Sequence, residues 1–346
     1  MEKKRILWLD CAKGVGILLV VIGHAIIAPI RNESYIMNFI YSSIYYFHMP
    51  FMMFLSGISY EMFKKEQVAI RIQIKNKIQQ LLIPYITYSI LVVFLVWVLS
   101  LLPFIGGYIS LYGSETISLR SILMEIIIGG NSYAIHLWYI YALFLFYLFR
   151  ITTDKILNNY QHVLIGAALF AIKCVVNTDD LYIINSVCTL YFWFALGSCI
   201  KLHQSILQLF KSKIMLKWVF MFISYGYVIV DILYIPTWNN PALYTLHTIV
   251  KFIFIYILLC SVIASCMQSG NLGSRLAALG RKSYSIYLFH QPFICLCGVT
   301  ALNFFLPSVV AVVIGVIMSI CIPYFIIERL LEFRYMRIIR VLLKGR

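Results

Sequence analysis

Ten stretches of this chain are each long and apolar enough to cross a bilayer, and nothing else in the sequence constrains the fold as strongly. They run roughly over residues 6–28, 35–60, 81–103, 134–151, 160–177, 182–200, 214–235, 243–266, 283–302 and 306–327, and a helix needs about 20 apolar residues to span the hydrocarbon core. Only 12% of the 346 residues are charged and 62% are apolar, with a mean hydropathy of +0.90. A typical soluble domain is about 25% charged. Lipid must therefore be part of the solvent, and the expected fold is an all-α polytopic integral membrane protein with about ten transmembrane helices. The stretch that starts at Ile6 carries Asp10, Lys13 and His24 and lacks a small-residue cleavage site. It reads as a retained first span rather than a signal peptide. Residues 119–130 are too short to cross and read as a re-entrant or interfacial segment. No internal repeat divides the chain, so residues 1–346 read as one transmembrane domain with a basic loop at 61–80 and a tail at 329–346.

The net charge of +15 is carried in short clusters between the apolar runs. That is the pattern of basic cytoplasmic loops, and it argues against a nucleic-acid partner. With the N-terminus placed in the cytoplasm, the inner segments hold 23 of the 28 Lys and Arg, while the outer segments hold only Arg31 and Arg120. This asymmetry orients both termini towards the cytoplasm. The nine cysteines fall almost entirely within apolar runs, and Cys295-Leu296-Cys297 is too tightly spaced for a usual zinc site. Buried free thiols are expected, and no metal.

Ionisable residues inside spans cost about 2.5–3.5 kcal/mol each on insertion scales, so each is a functional candidate. The first span is the richest. Asp10 and Lys13 are three residues apart and are neighbours on a helix surface. Lys13 and His24 are eleven apart, which on a helix is three turns plus roughly 20°, with a rise of about 16 Å. One polar stripe at two depths suits a long substrate that enters from one face and reacts further in; the alternative is a polar cluster that only locks helices together. Gly14, Gly16 and Gly23 allow close helix approach. The second span holds His48, Pro50 and Ser56-Gly57, with His48 reading equally as a catalytic group or a packing histidine. The loop that carries Arg71, Lys75 and Lys77 suits either an anionic lipid surface or the phosphates of a nucleotide-like donor. His136, Trp138, Tyr139, His290 and Glu328-Arg329 add polar groups to later spans. Sequence signatures of a Walker loop, a Gly-x-Ser-x-Gly elbow or a His-Glu-x-x-His metalloprotease are missing.

The set Asp10-x-x-Lys13-Gly14, Gly23-His24, Phe47-His48-Met49-Pro50 with Ser56-Gly57, Pro84-Tyr85, His136-Leu137-Trp138, Ser283-Tyr284-Ser285-Ile286-Tyr287-Leu288-x-His290 and Glu328 resembles the acyltransferase-3 family of membrane acyltransferases. It is most similar to the fucose 4-O-acetylase-like branch of glycan O-acetyltransferases. The motifs spread over almost the whole chain in family order. The resemblance implies ten transmembrane helices in the bacterial cytoplasmic membrane. It also implies a cytoplasmic acyl-CoA donor, with acetyl-CoA as substrate and no permanently bound cofactor, and a glycan or lipid-linked sugar as acceptor. It further implies catalytic roles for His24, Asp10 and Glu328. Donor or substrate contacts are implied for Lys13, Arg71, Lys75, Lys77, His48, Ser56, Trp138 and His290. Lys13 stands where the family pattern has an arginine; lysine keeps the charge and loses the planar fork. The expected chemistry is general-base catalysis by His24 on a sugar hydroxyl, with a covalent acyl-histidine as a variant. The rival class is a transporter or flippase that uses Asp10, Lys13 and His24 to handle protons or substrate.

Overall fold

The computed structural model describes residues 5–101, 119–130, 132–175, 182–234 and 241–345. The far ends of the expected stretches at 81–103, 160–177 and 214–235, and the side chains of Arg120 and Cys174, lie outside the described residues. Each of the ten apolar stretches is mainly helical over its described residues: α1 Leu7–Ala25, α3 Tyr35–Phe63, α5 Ile83–Ser100, α7 Trp138–Thr153, α8 Asn159–Val175, α9 Tyr182–Ser198, α11 Ile214–Leu233, α12 Pro241–Gln268, the pair α14 Ser283–Phe289 and α15 Gly298–Asn303, and α16 Ser308–Cys321. Shorter helices connect them: α2 Ala28–Glu33, α4 Ile70–Lys77, α6 Leu119–Ile127, α10 Ile200–Ser212, α13 Asn271–Arg281, α17 Glu328–Glu332 and α18 Arg337–Lys344. Among the described residues no strand occurs.

Six of these helical units are long and apolar enough to cross a membrane, and the bent pair α14/α15 makes a seventh. The protein is thus a multi-pass membrane protein. The remaining three expected spans are helical over their described residues: α3 has the length but is diluted by tyrosine, serine and asparagine, while α8 and α9 are each described over 17 residues and border residues 176–181, which lie outside the described set.

Helix α1 sits at the centre of the bundle and packs against α3, α12, α13, α14 and α16. Its closest partner is α13, because both backbones lack side chains where they meet. A Cβ on Gly14 would collide with the Leu276 carbonyl, and one on Gly280 with the Asp10 carbonyl. The same device joins α3 to α9: a Cβ on Gly57 would meet the Phe194 carbonyl, and one on Gly197 the Phe54 carbonyl. Close approach of this kind supplies packing and dispersion contacts where lipid offers no hydrophobic drive. Gly57→Ala is therefore expected to destabilise the protein by about 1–3 kcal/mol, the usual cost of overpacking, read as a lower unfolding temperature in detergent.

Arg5 from the start of the chain and Arg340 and Lys344 from its end line one pocket, so both ends of the chain lie at the same end of the bundle. This is the tail end below. A second polar knot lies between α3, α7, α8 and α9. The fully buried Arg150 guanidinium reaches Asp154 at 2.7 Å, Glu61 at 3.7 Å, Ser198 at 3.0 Å and Asn159 at 2.6 Å. Five donors in a fixed fork let one side chain satisfy four partners. At the opposite end of the bundle, α2 folds over α1 and closes a small apolar cluster of Ala25, Ile26, Ile30, Met37, Cys295 and Val299. The eight described cysteines are free; Cys297 and Cys321 are exposed on the bundle surface rather than buried.

Candidate active site

The site grows from a proline. Pro292 has no N–H, so the Leu288 carbonyl four residues back loses its helical donor, and the residue before the proline is pushed away from helix. Helix α14 stops at Phe289, and the span resumes after a bend of 61°. The carbonyls exposed by this break are taken by side chains. His136 Nε2 donates to Leu288 O at 3.3 Å, His290 Nδ1 donates to Tyr287 O at 2.8 Å, and the Tyr88 hydroxyl donates to Gln291 O at 2.6 Å; His290 Nδ1 also reaches Ile286 O at 3.1 Å, which keeps the backbone N–H of His290 as its helical donor. Carbonyls only accept, so His290 carries its proton on Nδ1 and, when neutral, a lone pair on Nε2. That Nε2 is buried and has no hydrogen-bond partner among the described residues.

Three imidazoles meet here. The His290 ring centroid lies 5.3 Å from that of His24 and 5.2 Å from that of His136. His24 occupies the last turn of α1 and is partly exposed, whereas His136 and His290 are buried. The Tyr45 hydroxyl stands 3.4 Å from His24 Nδ1, and Tyr45 in turn packs edge-on against His48 at 4.7 Å. His48 is buried and donates Nδ1–H to Ile44 O at 2.9 Å. Tyr287 donates to the His136 carbonyl and packs 5.1 Å from Tyr139, whose hydroxyl meets Ser56 Oγ at 3.0 Å. Trp138, half-buried, opens α7 beside this group. No group of three His, Cys, Asp or Glu among the described residues is arranged to hold a metal ion.

The structure thus brings His24, His48, His290 and, through Tyr139 and Tyr287, Ser56 into one neighbourhood. It does not bring Asp10 or Glu328 there. Asp10 lies fourteen residues below His24 on α1, a rise of about 21 Å, and Lys13 lies near it; both are half-buried. Glu328 sits at the tail end, where it accepts from Ser285 and pairs with Lys344 at 2.7 Å. Arg71 and Lys75 are exposed on α4, and the Lys77 ammonium stacks over the Tyr147 ring at 3.6 Å.

At the tail end lies a cavity of about 590 Å³ lined by Arg5, Arg281, Lys282, Arg340 and Lys344, together with Tyr284, Ser285, Tyr324 and Glu328. Five cations from three distant parts of the chain converge around one carboxylate. Sequence reading did not pick out this pocket, because its members are separated by up to 339 positions; the one available signal was the Arg281-Lys282 pair just before α14. Helix α14 connects the two places. Ser285 lines the basic pocket, and His290 lies five residues on, a rise of about 7.5 Å. Tyr284, also in the pocket, donates to Gln80 O at 3.2 Å, which ties the pocket to the segment that follows Arg71, Lys75 and Lys77.

The sequence matches the family model described as an acyltransferase domain, of the acyltransferase-3 type, over residues 6–328. No curated protein and no solved structure matches the chain.

Proposed function

Because the chain belongs to the acyltransferase-3 family of membrane acyltransferases, we propose that it moves an acetyl or other short acyl group from cytoplasmic acyl-CoA to a hydroxyl of a cell-surface or lipid-linked glycan. Within the family we place it in the fucose 4-O-acetylase-like branch, in a bacterial cytoplasmic membrane with the tail end inside. The observation that carries the reading is helix α14, which runs from a five-cation pocket to a histidine cluster. Clustered Arg and Lys suit the phosphates of a CoA nucleotide, and a thioester arm reaching along α14 arrives beside His24 and His290.

In this reading His24 takes the proton of the sugar hydroxyl as its oxygen attacks the thioester carbonyl. The C–S bond then breaks, and the CoA thiolate leaves with that proton. A positioned imidazole is the usual group for such a transfer. The buried lone pair on His290 Nε2 gives the hydroxyl a second acceptor, and His48 holds Tyr45 against His24. Ser56 and Trp138 shape the wall beside Tyr139. Asp10 and Lys13 line the lower part of α1, and Glu328 orders Ser285 and Lys344 in the donor pocket. Arg71, Lys75 and Lys77 add positive field next to the pocket and steer the anionic donor.

The test is purified protein in lipid nanodiscs with acetyl-CoA and a glycan acceptor. Release of free CoA that depends on the acceptor supports transfer, whereas no release under any acceptor refutes it. Arg281→Ala and Arg340→Ala are each expected to raise the KM for acetyl-CoA by about tenfold, the worth of one hydrogen bond from a charged group, with kcat little changed. Equal loss from Arg71→Ala alone would move the donor site to the loop.

A further inference from the structure

On the far side of α3 lies a second cavity of about 590 Å³, which the chemistry above does not use. Tyr35, Asn38, Phe39, Ser42 and Tyr46 line it from α3, Asp231 from the end of α11, and Tyr244, His247, Thr248 and Lys251 from α12. Lys217 near the start of α11 bonds Gln268 at the end of α12 at 2.5 Å. Asp231 and His247 therefore belong to the bundle end opposite that contact. The Asp231 carboxylate is only 10% exposed and accepts from the Tyr46 hydroxyl at 2.7 Å and from His247 Nε2 at 2.5 Å. Lys251, one turn beyond His247, lies 4.0 Å from the same carboxylate and 4.1 Å over the Tyr46 ring.

The chemistry selects a ligand class. Both Asp231 oxygens already hold a donor, and no group of three His, Cys, Asp or Glu among the described residues surrounds them to hold a cation. The Lys251 charge is offset by Asp231, so a phosphate meets no net field comparable to that of the tail-end pocket. What remains is a set of fixed hydroxyl, amide and ammonium groups beside the aromatic faces of Tyr35, Phe39 and Tyr244. A neutral sugar ring has one apolar face and a rim of hydroxyls, and it matches that set. We infer that this cavity binds a sugar unit of the acceptor other than the one that reacts, an inference that takes from the proposed function only that the acceptor is a glycan. Adjacent residues of α3 divide the work: Tyr45 faces His24, and Tyr46 faces this cavity. A glycan held here would cross α3 to present a neighbouring hydroxyl to His24.

Ligand-observed NMR saturation transfer on the full-length protein in nanodiscs tests this, with methyl glucoside, methyl galactoside, methyl fucoside and inorganic phosphate as probes. At least one glycoside is expected to bind and phosphate is not. Asp231→Asn and, at the exposed rim, Tyr244→Ala should each weaken glycoside binding about tenfold, equivalent to about 1.4 kcal/mol. Tyr244→Ala keeps the test valid if Asp231→Asn fails to fold. In turnover, Tyr244→Ala should raise the KM for an oligosaccharide acceptor and leave that for acetyl-CoA unchanged. Absence of glycoside binding, binding unaffected by Tyr244→Ala, or displacement by phosphate would overturn the inference. Glycoside binding needs no acyl transfer, so a protein that binds sugars without turnover would keep this site and lose the enzymatic reading. Turnover without glycoside binding would do the reverse.

Discussion

His24→Ala is expected to lower acceptor-dependent release of CoA by about 10²–10⁴-fold, the usual contribution of a positioned general base, while the protein stays folded and inserted. The structural reason for this clean separation is what His24 does not do. It is partly exposed, and among the described residues its side chain makes one hydrogen-bond contact, a long one with Tyr45 at 3.4 Å. It caps no helix break and fills no deep core position. His290 is the opposite case. Its Nδ1–H satisfies the Tyr287 carbonyl at the break before Pro292 and adds a second donor to the Ile286 carbonyl, so its loss unsettles the helix as well as the chemistry. An assay that pairs CoA release with thermal unfolding therefore reads His24→Ala as a loss of rate at near-constant stability. His290→Ala should lose both. Full turnover in His24→Ala would remove His24 from the mechanism.

Arg150→Ala is expected to destabilise the protein by about 3–5 kcal/mol, the range for removing one partner of a buried ion pair. Arg150 is wholly buried and serves Asp154, Glu61, Ser198 and Asn159 together. Without it, Asp154 loses the cation that compensates its burial, while Glu61 keeps Lys64 at 3.1 Å. Arg150→Lys keeps the charge but cannot reproduce the fork, so its cost should fall between zero and that of alanine. The same knot sets an acid limb of stability. Burial alone would raise the Asp154 pKa, but the His162 imidazole 3.4 Å away, the hydrogen bond from Tyr60 and the Arg150 charge outweigh it and hold the carboxyl below its ordinary value. A carboxylate depressed on folding contributes stability above its unfolded pKa of about 3.9. That contribution shrinks as pH falls below that value and through the lower folded pKa. Unfolding temperature should therefore drop more steeply below pH ~4 in the wild type than in Asp154→Asn. Parallel pH profiles in the two proteins would contradict the assignment.

Much of the bundle was legible in the sequence because lipid enforces a simple rule: a span must be a long apolar helix. That rule found the helical stretches, and the glycines at positions 14 and 57 marked where helices come closest. It could not judge α3, whose tyrosines and serines make their contacts with α9, α1 and the cavity at Tyr46. The site was half legible. His24, His48 and His290 stood out as polar groups at membrane depth, while the break at Pro292 that gathers them lies inside a stretch, 283–302, that reads as one continuous span. Their mutual distances were not legible, since α1, α3 and α14 meet only in the fold. The Asp10–Lys13–His24 stripe is real as helix geometry, yet its lower members serve a different depth from its upper one. Loop charge density pointed to Arg71, Lys75 and Lys77, whereas the basic pocket is assembled from Arg5, Arg281, Lys282, Arg340 and Lys344. Density along the chain reports charge, and only tertiary structure reports convergence.

In the proposed mechanism one short helix, α14, carries the donor from a cationic pocket to the histidine cluster. A structure of the protein with a non-hydrolysable acetyl-CoA analogue tests it most directly. The expected result places the nucleotide phosphates among Arg5, Arg281 and Arg340 and the acyl carbon beside the rings of His24 and His290. Phosphates seated against α4, or an acyl carbon on the far side of α1 from His290, would contradict it.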